Sequence, residues 1–427
     1  MALPQAKLDA TEARLATLTL PEGGWSAAAR RDALARLREM GLPGRRDEYW
    51  KWTRPDTLIQ PEAPEAALLE NSEGQIFSQF ERLKIVFTDG VFDPEQSDDL
   101  EAEGVRIDRL ADVQQQDIHW ARDLYGKLEA RGQSPVKRPL AALNTAFATD
   151  GVLIHVTGKP SKPICLTYHH RDTRSDAILH HVVKVDEGAE VTLLENGPAA
   201  ARFNKCVELD IADTGKVHHI RAQGRDHERR AATHLFARLG AESVFKTFTL
   251  TMNGVMTRNE AVIEFTGDDA VGHVAGACVG DGDFHHDDTV FITHDAVGCE
   301  SRQVFKKVLR NGATGVFQGK ILVKEGAQKT DGYQISQSLL LDEDSQFLAK
   351  PELEIYADDV ACSHGSTSGA IDEEALFYLR SRGVPYGEAT DLLTLAFLAE
   401  AVQEVENEDL RELMVERLGN WLARRRS

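Results

Sequence analysis

The sequence predicts a mainly β protein, a β-solenoid running between an N-terminal and a C-terminal α-helical region. Three observations predict it. Short β-rich runs recur between about residues 150 and 365, each closed by a Gly or Asp turn: GVLIHV (151–156), AEVTLLENG (189–197), KVHHIRAQG (216–224), SVFKTFTL (243–250), TVFITH (289–294), GKILVKEG (319–326) and PELEIYADD (351–359). Turn glycines recur at similar distances, with Gly188, Gly215 and Gly240 spaced by 27 and 25 residues and Gly298 and Gly326 by 28. No helix-period stretch interrupts this zone. A solenoid places one strand–turn unit per rung and buries each rung on its neighbours, so it needs no crossover helices. A sandwich or barrel is the rival, with turns every ~8–12 residues. The unbroken length of the β zone favours the solenoid.

The elements follow in order. Residues 1–80 read as a helical region and a linker. Ser26 is a candidate N-cap, Ala29, Ala33, Leu34, Leu37 and Met40 form an apolar stripe, and Gly41 and Pro43 stop the helix. The string RRDEYWKWTRP (45–55) reads as a helix end packed on the core through Tyr49, Trp50 and Trp52. PEAPEAALLENSEG (61–74) reads as an acidic, Pro-rich linker. Residues 81–150 form a mixed bridge, with a strand at 83–89 and a helix around 120–128. The β-solenoid core spans 151–369. Residues 370–427 return to helix. Asp372 caps the first, Glu373 and Glu374 suit its dipole, and Leu376, Phe377 and Leu379 supply its apolar face before Gly383 and Pro385. The second, at 388–405, is apolar around much of its circumference, which suits burial against the solenoid end or docking of a partner. A third ends in Trp421 and a basic tail at 424–426.

Composition narrows the function. The 427 residues carry 49 Lys+Arg against 69 Asp+Glu, a net charge of −20, which argues against nucleic acid or an anionic membrane as partner. Five cysteines at 165, 206, 278, 299 and 362 are odd in number and form no C-x-x-C, so a disulfide scaffold or a self-contained zinc ribbon is not expected. The N-terminus has no basic region followed by an apolar one, and nowhere do ~18 apolar residues run together. A reducing cytoplasm is the expected location.

Two nucleotide-like strings fail on inspection. GVFQGK (315–320) has too few residues between its glycines for a phosphate loop and Ile321 where Ser or Thr is needed; GDGDFH (280–285) has His285 in place of a third Gly. The acidic and His-rich turn at 281–288 carries metal-ligand residue types, but His285 and His286 point to opposite sides of a regular strand. The pairs His169–His170, His180–His181 and His218–His219 share that difficulty. DDVACSHGSTSG (358–369) differs: Cys362 and His364 stand two apart and share one side of an extended segment. A thiolate beside an imidazole suits a borderline metal or an iron–sulfur species, yet supplies two ligands where such a site wants three or four. The remaining ligands are expected from another chain. No orienting group or oxyanion-hole motif supports a Cys–His nucleophile, so no catalytic residue is assigned.

FQGKILVKEGAQKTDGYQISQSLLL (317–341) and KPELEIYADDVACSHGSTSGAIDEEALFYLRSRGVP (350–385) resemble the C-terminal signature of the SufB/SufD family of iron–sulfur cluster assembly subunits. RRDEYWKWT (45–53), LNTAFATDGVLIHV (143–156) and HHDDTVFITHDAVGCESRQVFKKVL (285–309) extend the resemblance over nearly the whole chain. The early aromatic cluster and the CSHG string favour the SufD branch. The lead-in NGATGVFQGK (311–320) departs from the family pattern, with Thr314 at the usual Arg, so a role for that Arg does not carry over.

The resemblance implies a right-handed parallel β-helix between helical ends and no enzyme activity in this subunit. It implies pairing with a SufB-type subunit, docking of a SufC-type ATPase on the C-terminal helices, and an interface position for Cys362 and His364. Iron or a nascent cluster would be placed there transiently, with no cofactor tightly bound to the isolated chain; a homodimer is the alternative when the chain is alone. Two other functions remain open: a SufB-type subunit that carries the cluster itself, expected to show more cysteine ligands, and a solenoid polysaccharide-active enzyme using the carboxylates at 281–288.

Overall fold

From Val152–Val156 onward, successive strands alternate between two ten-stranded sheets. In the computed structural model, which describes residues 3–68, 76–224 and 228–424, Asp176–Val185 lies in one sheet, Glu190–Asn196 in the other, and Arg202–Ile211 returns to the first. Each rung contributes one strand to each sheet. From Asp176 onward, parallel partners lie 26 residues apart at Asp176 and Arg202, rising to 32 at Thr314 and Gln346. The architecture is the expected parallel β-solenoid, of about seven turns, with helices at both ends of the chain. The end of the expected linker (69–74) and the tail residues 425 and 426 lie outside the described residues.

Strand parity builds the core. Side chains alternate faces, and the inward set, including Val185, Val217, Leu239, Phe245, Ile263 and Phe305, forms one apolar cluster between the sheets. Outward residues are covered from two sides. The helix Pro139–Phe147, buried at all nine positions, and the helix Ala27–Met40 cover one sheet. The helices Tyr386–Val402 and Glu408–Arg424 cover the other through Leu398, Ala401, Met414 and Trp421, packed with Phe248, Ala275, Val304 and Val308.

Several local expectations change. The 45–55 string forms only a short 3₁₀ turn, Glu48–Trp50, and Trp52 is half-exposed. The bridge helix is two pieces, a 3₁₀ turn Trp120–Asp123 and an α-helix Lys127–Arg131. The long C-terminal helix begins at Tyr386 and packs on a sheet face beside Val271–Asp281 and Glu300–Arg310, not on the solenoid end. The expected apolar face of the preceding helix, Glu373–Ser381, is only partly covered: Leu376 and Leu379 are half-buried and Phe377 is 73% exposed. Ser26 stands at the N-cap, but its hydroxyl accepts from Arg30 Nε at 3.1 Å instead of capping the backbone. Asp372 caps as expected, accepting from the backbone N–H of Glu374 and Ala375 at 2.9 and 3.0 Å.

Candidate functional site

The solenoid is closed at its start and open at its finish. At the start, Leu83–Thr88 and Val152–Val156 are covered by the short antiparallel strands Val91–Phe92 and Val105–Arg109. At the finish, Gln346–Ile355 and Ala361–Gly369 are the last strands of their sheets, and no described residue pairs with their outer edges. Neither strand holds a buried residue.

Cys362 and His364 lie on that last strand. Register pairs Cys362 with Gly332 and His364 with Gln334, so both continue columns that face inward in earlier rungs. The same face carries Ser366 and Ser368, hydroxyl-bonded to Ser336 and Ser338 at 3.0 and 2.9 Å. Small polar residues stand here because no further rung covers this face, so apolar side chains would meet water. Cys362 is half-buried among Ile321, Val323, Leu353 and Val360, whereas His364 is exposed. A Cβ on Gly332 would stand 3.1 Å from the Cys362 sulfur, so glycine there leaves the thiol its room. Partial burial raises the thiol pKa, opposed by a hydrogen bond with the Gly332 backbone and reinforced by the Asp331 carboxylate. The thiol is therefore protonated at neutral pH in the free chain, and a metal must displace the proton to bind. His364 makes no side-chain hydrogen bond or ion pair with the described residues, which leaves its imidazole available. Among the described residues no group of three or more His, Cys, Asp or Glu side chains could hold a metal. One thiol and one imidazole fit iron–sulfur chemistry but form half a ligand set.

The other cysteines are buried, and burial is the first cause that raises their thiols, Cys278 to about 12. Three of the four carboxylates in the turn at 281–288 are engaged by cations of the fold, and Asp283 is exposed. Asp281 pairs with Arg310 at 2.9 Å, Asp287 with Arg258, and Asp288 with Lys307 at 2.5 Å. His285 reaches Thr53 at 3.0 Å on one side of the strand, and His286 reaches Lys307 at 2.8 Å on the other. His180 sits 2.8 Å from Glu208 and His219 2.8 Å from Glu195. The glycines of the two nucleotide-like strings serve packing: a Cβ on Gly319 would meet Gln334 at 2.4 Å, and one on Gly280 would meet Phe284 at 2.1 Å.

Sequence reasoning missed one support of the open end. The Tyr49 hydroxyl donates to Glu352 on the strand Gln346–Ile355 at 2.5 Å, and Lys350 Nζ lies 4.1 Å from the centre of the Tyr49 ring. The aromatic string near the N-terminus thus pins the final rung. Burial and the Glu352 carboxylate push the Tyr49 pKa up, so the phenol stays a donor. The alternation of small polar residues after Cys362 was the available signal that the strand itself is uncovered.

This geometry defines a class: a β-solenoid with an uncovered terminal rung that carries a half-buried thiol and an exposed imidazole. Residues 168–397 match the family model described as SUF system FeS cluster assembly, SufBD core domain, and residues 25–163 match the SufBD protein N-terminal region. The chain belongs to the SufBD family of iron–sulfur cluster assembly proteins. It is similar to the iron–sulfur cluster assembly protein SufD of Escherichia coli, 28% identical with 91% of each chain covered. SufD of Bacillus subtilis is 28% identical over 65% of each chain. A SufBD family protein of Synechocystis is 27% identical over 88% of this chain and 86% of its own.

Proposed function

We propose that this chain is a SufD-type scaffold subunit that has no catalysis of its own and works in a reducing cytoplasm. Its open end pairs with a SufB-type subunit, and Cys362 and His364 contribute two ligands to iron or a nascent cluster, the cargo of the complex, at that interface. The C-terminal helices dock a SufC-type ATPase. One observation carries the proposal: the last rung is uncovered, and its inward face holds an incomplete ligand pair beside unpaired strand edges. Exposed edges are a ready template for another chain's strands.

The docking surface is supported by Phe377, Tyr378, Tyr386 and Leu392, exposed at 73, 55, 61 and 46% on the helical region. A mechanical link follows. Closure of two ATPase subunits on ATP would pull these helices, which grip the sheet through Glu404 with His273 at 3.1 Å and Glu400 with Lys306 at 2.5 Å. A stiff solenoid would carry that strain to the open end. The SufB-type alternative is less well supported because four of the five cysteines are buried. The carbohydrate-active alternative loses Asp281, Asp287 and Asp288 to cations of the fold.

The test is co-expression with SufB- and SufC-type partners, followed by iron analysis of complexes carrying the wild-type chain or Cys362→Ala. The expected result is an intact complex with iron lost in the variant. Failure of the partners to co-purify, or unchanged iron and cluster assembly in the variant, overturns the proposal.

A further inference from the structure

Behind His364 the inward face of the solenoid carries a short polar column. Parallel register stacks Gln303, Gln334 and His364 on three successive strands of one sheet. Both glutamines are fully buried. Gln334 Nε2 donates to Gln303 Oε1 at 2.9 Å, so an amide ladder already joins two rungs. Gly319 on the facing sheet gives the ladder room, since a Cβ there would stand 2.4 Å from Gln334 Nε2.

One atom at each end of the ladder lacks a partner: Gln303 Nε2 and Gln334 Oε1. The rung below sets Val274 against Gln303, and its side chain accepts nothing. The rung above sets His364 against Gln334, and an imidazole N–H can donate. A planar amide that gives its N–H to one neighbour along a ladder turns its oxygen toward the other. Paired positions on adjacent strands stand about 4.8 Å apart, a gap that Gln334 and Gln303 already bridge. His364 is exposed and makes no side-chain hydrogen bond with the described residues, so none of them holds its ring away from that oxygen. A buried oxygen left without a donor is disfavoured.

We propose that Gln334 is a positioning residue for His364. Its Oε1 accepts the N–H of one imidazole nitrogen, which fixes the tautomer and turns the lone pair of the other nitrogen away from the column, toward whatever covers the last rung. The inference rests on the reading of His364 as a ligand, and Gln334 then orients it as a carbonyl or carboxylate orients other metal-binding histidines.

The test is ring-nitrogen NMR of the full-length free chain carrying isotope-labelled histidine, at mildly alkaline pH, with the His364 signals assigned by their loss in His364→Ala. The expected result is a single tautomer at His364 in the wild type, and a shift to the averaged pattern of a free imidazole in Gln334→Leu, which fills the site without an acceptor. Mixed tautomers in the wild type, or a single tautomer that survives in Gln334→Leu, overturn the proposal. Should that variant fail to fold, a crystal structure of the wild-type chain decides: a ring nitrogen of His364 within hydrogen-bond distance of Gln334 Oε1 supports the proposal, and any other outcome at that oxygen overturns it. Neither measurement involves iron or a partner subunit, so failure here leaves the iron result for Cys362→Ala untouched, and the reverse.

Discussion

Arg258 shows how single residues anchor this fold. Its guanidinium lies 4.2 Å from the centre of the Trp50 ring, binds Asp287 and Glu260, and donates to the Tyr49 carbonyl at 2.9 Å. Burial alone would lower its pKa, but the two carboxylates outweigh burial and raise it. Removing one partner of a buried ion pair strands the other, so Arg258→Met should cost about 3–5 kcal/mol in urea unfolding; a loss under ~1 kcal/mol contradicts the network. Buried histidines set the acid response. Burial holds His181 and His286 at about 3 and His294 at about 4, against an ordinary value of 6.5. The unfolded chain therefore takes up protons below pH 6.5 while the folded chain does not. Stability is complete above that pH and falls progressively as pH drops toward 4, by roughly 2 kcal/mol per histidine at pH 5. The urea midpoint should be lower at pH 5 than at pH 7.5; an equal or higher midpoint refutes the assignment. The Cys362–His364 pair was legible because an i, i+2 spacing on an extended segment fixes a shared side. The link from Tyr49 to Glu352 was not, because 303 residues separate the partners and no local pattern encodes the contact.

At the scale of elements, the corner before six consecutive strands of one sheet repeats a left-handed residue. Gly188, Thr214, Glu242, Asp269, Gly298 and Lys329 all have φ between 53 and 71° and each stands two residues ahead of a strand start in register. This corrects the glycine spacing. Gly188 occupies the left-handed position itself, while Gly215 and Gly240 stand beside it in their own corners, so the intervals of 27 and 25 only approximated the rung. Periodic turns were legible; their geometry was not, because four of the six positions carry side chains that tolerate the strain. A Cβ on Gly188 meets nothing nearer than Thr214 Oγ1 at 3.8 Å, so the cost of Gly188→Val is backbone strain alone, about 1–2 kcal/mol, read by chemical unfolding. No loss of stability contradicts the corner. The helix Glu373–Ser381 was predicted from the same patterns, but it holds no fully buried residue: Leu376 and Leu379 are half-buried, and Phe377 and Tyr378 face solvent. Phe377→Ser with Tyr386→Ser should leave stability within about 0.5 kcal/mol and abolish binding of the ATPase subunit in co-purification. Retained binding removes this helix from the interface.

At the scale of the whole molecule, the two ends differ in kind. The first rungs are blunted by short antiparallel strands, a standard protection of sheet edges, whereas the last rung exposes two long strands carrying Lys350, Glu352, Cys362 and His364. The solenoid was legible because repeated rungs leave a repeated pattern in sequence. The side-covering helices were legible as helices but not in their placement, since an evenly apolar helix such as Tyr386–Val402 does not announce which surface it meets. The asymmetry between the ends gives the chain its proposed role, and hydrogen exchange tests it most directly. Backbone amides of 361–369 are measured in the free chain and in the complex with a SufB-type subunit. The account predicts fast exchange on the unpaired edge of the free strand and strong protection on assembly. Unchanged exchange across 361–369 in an intact complex would contradict it.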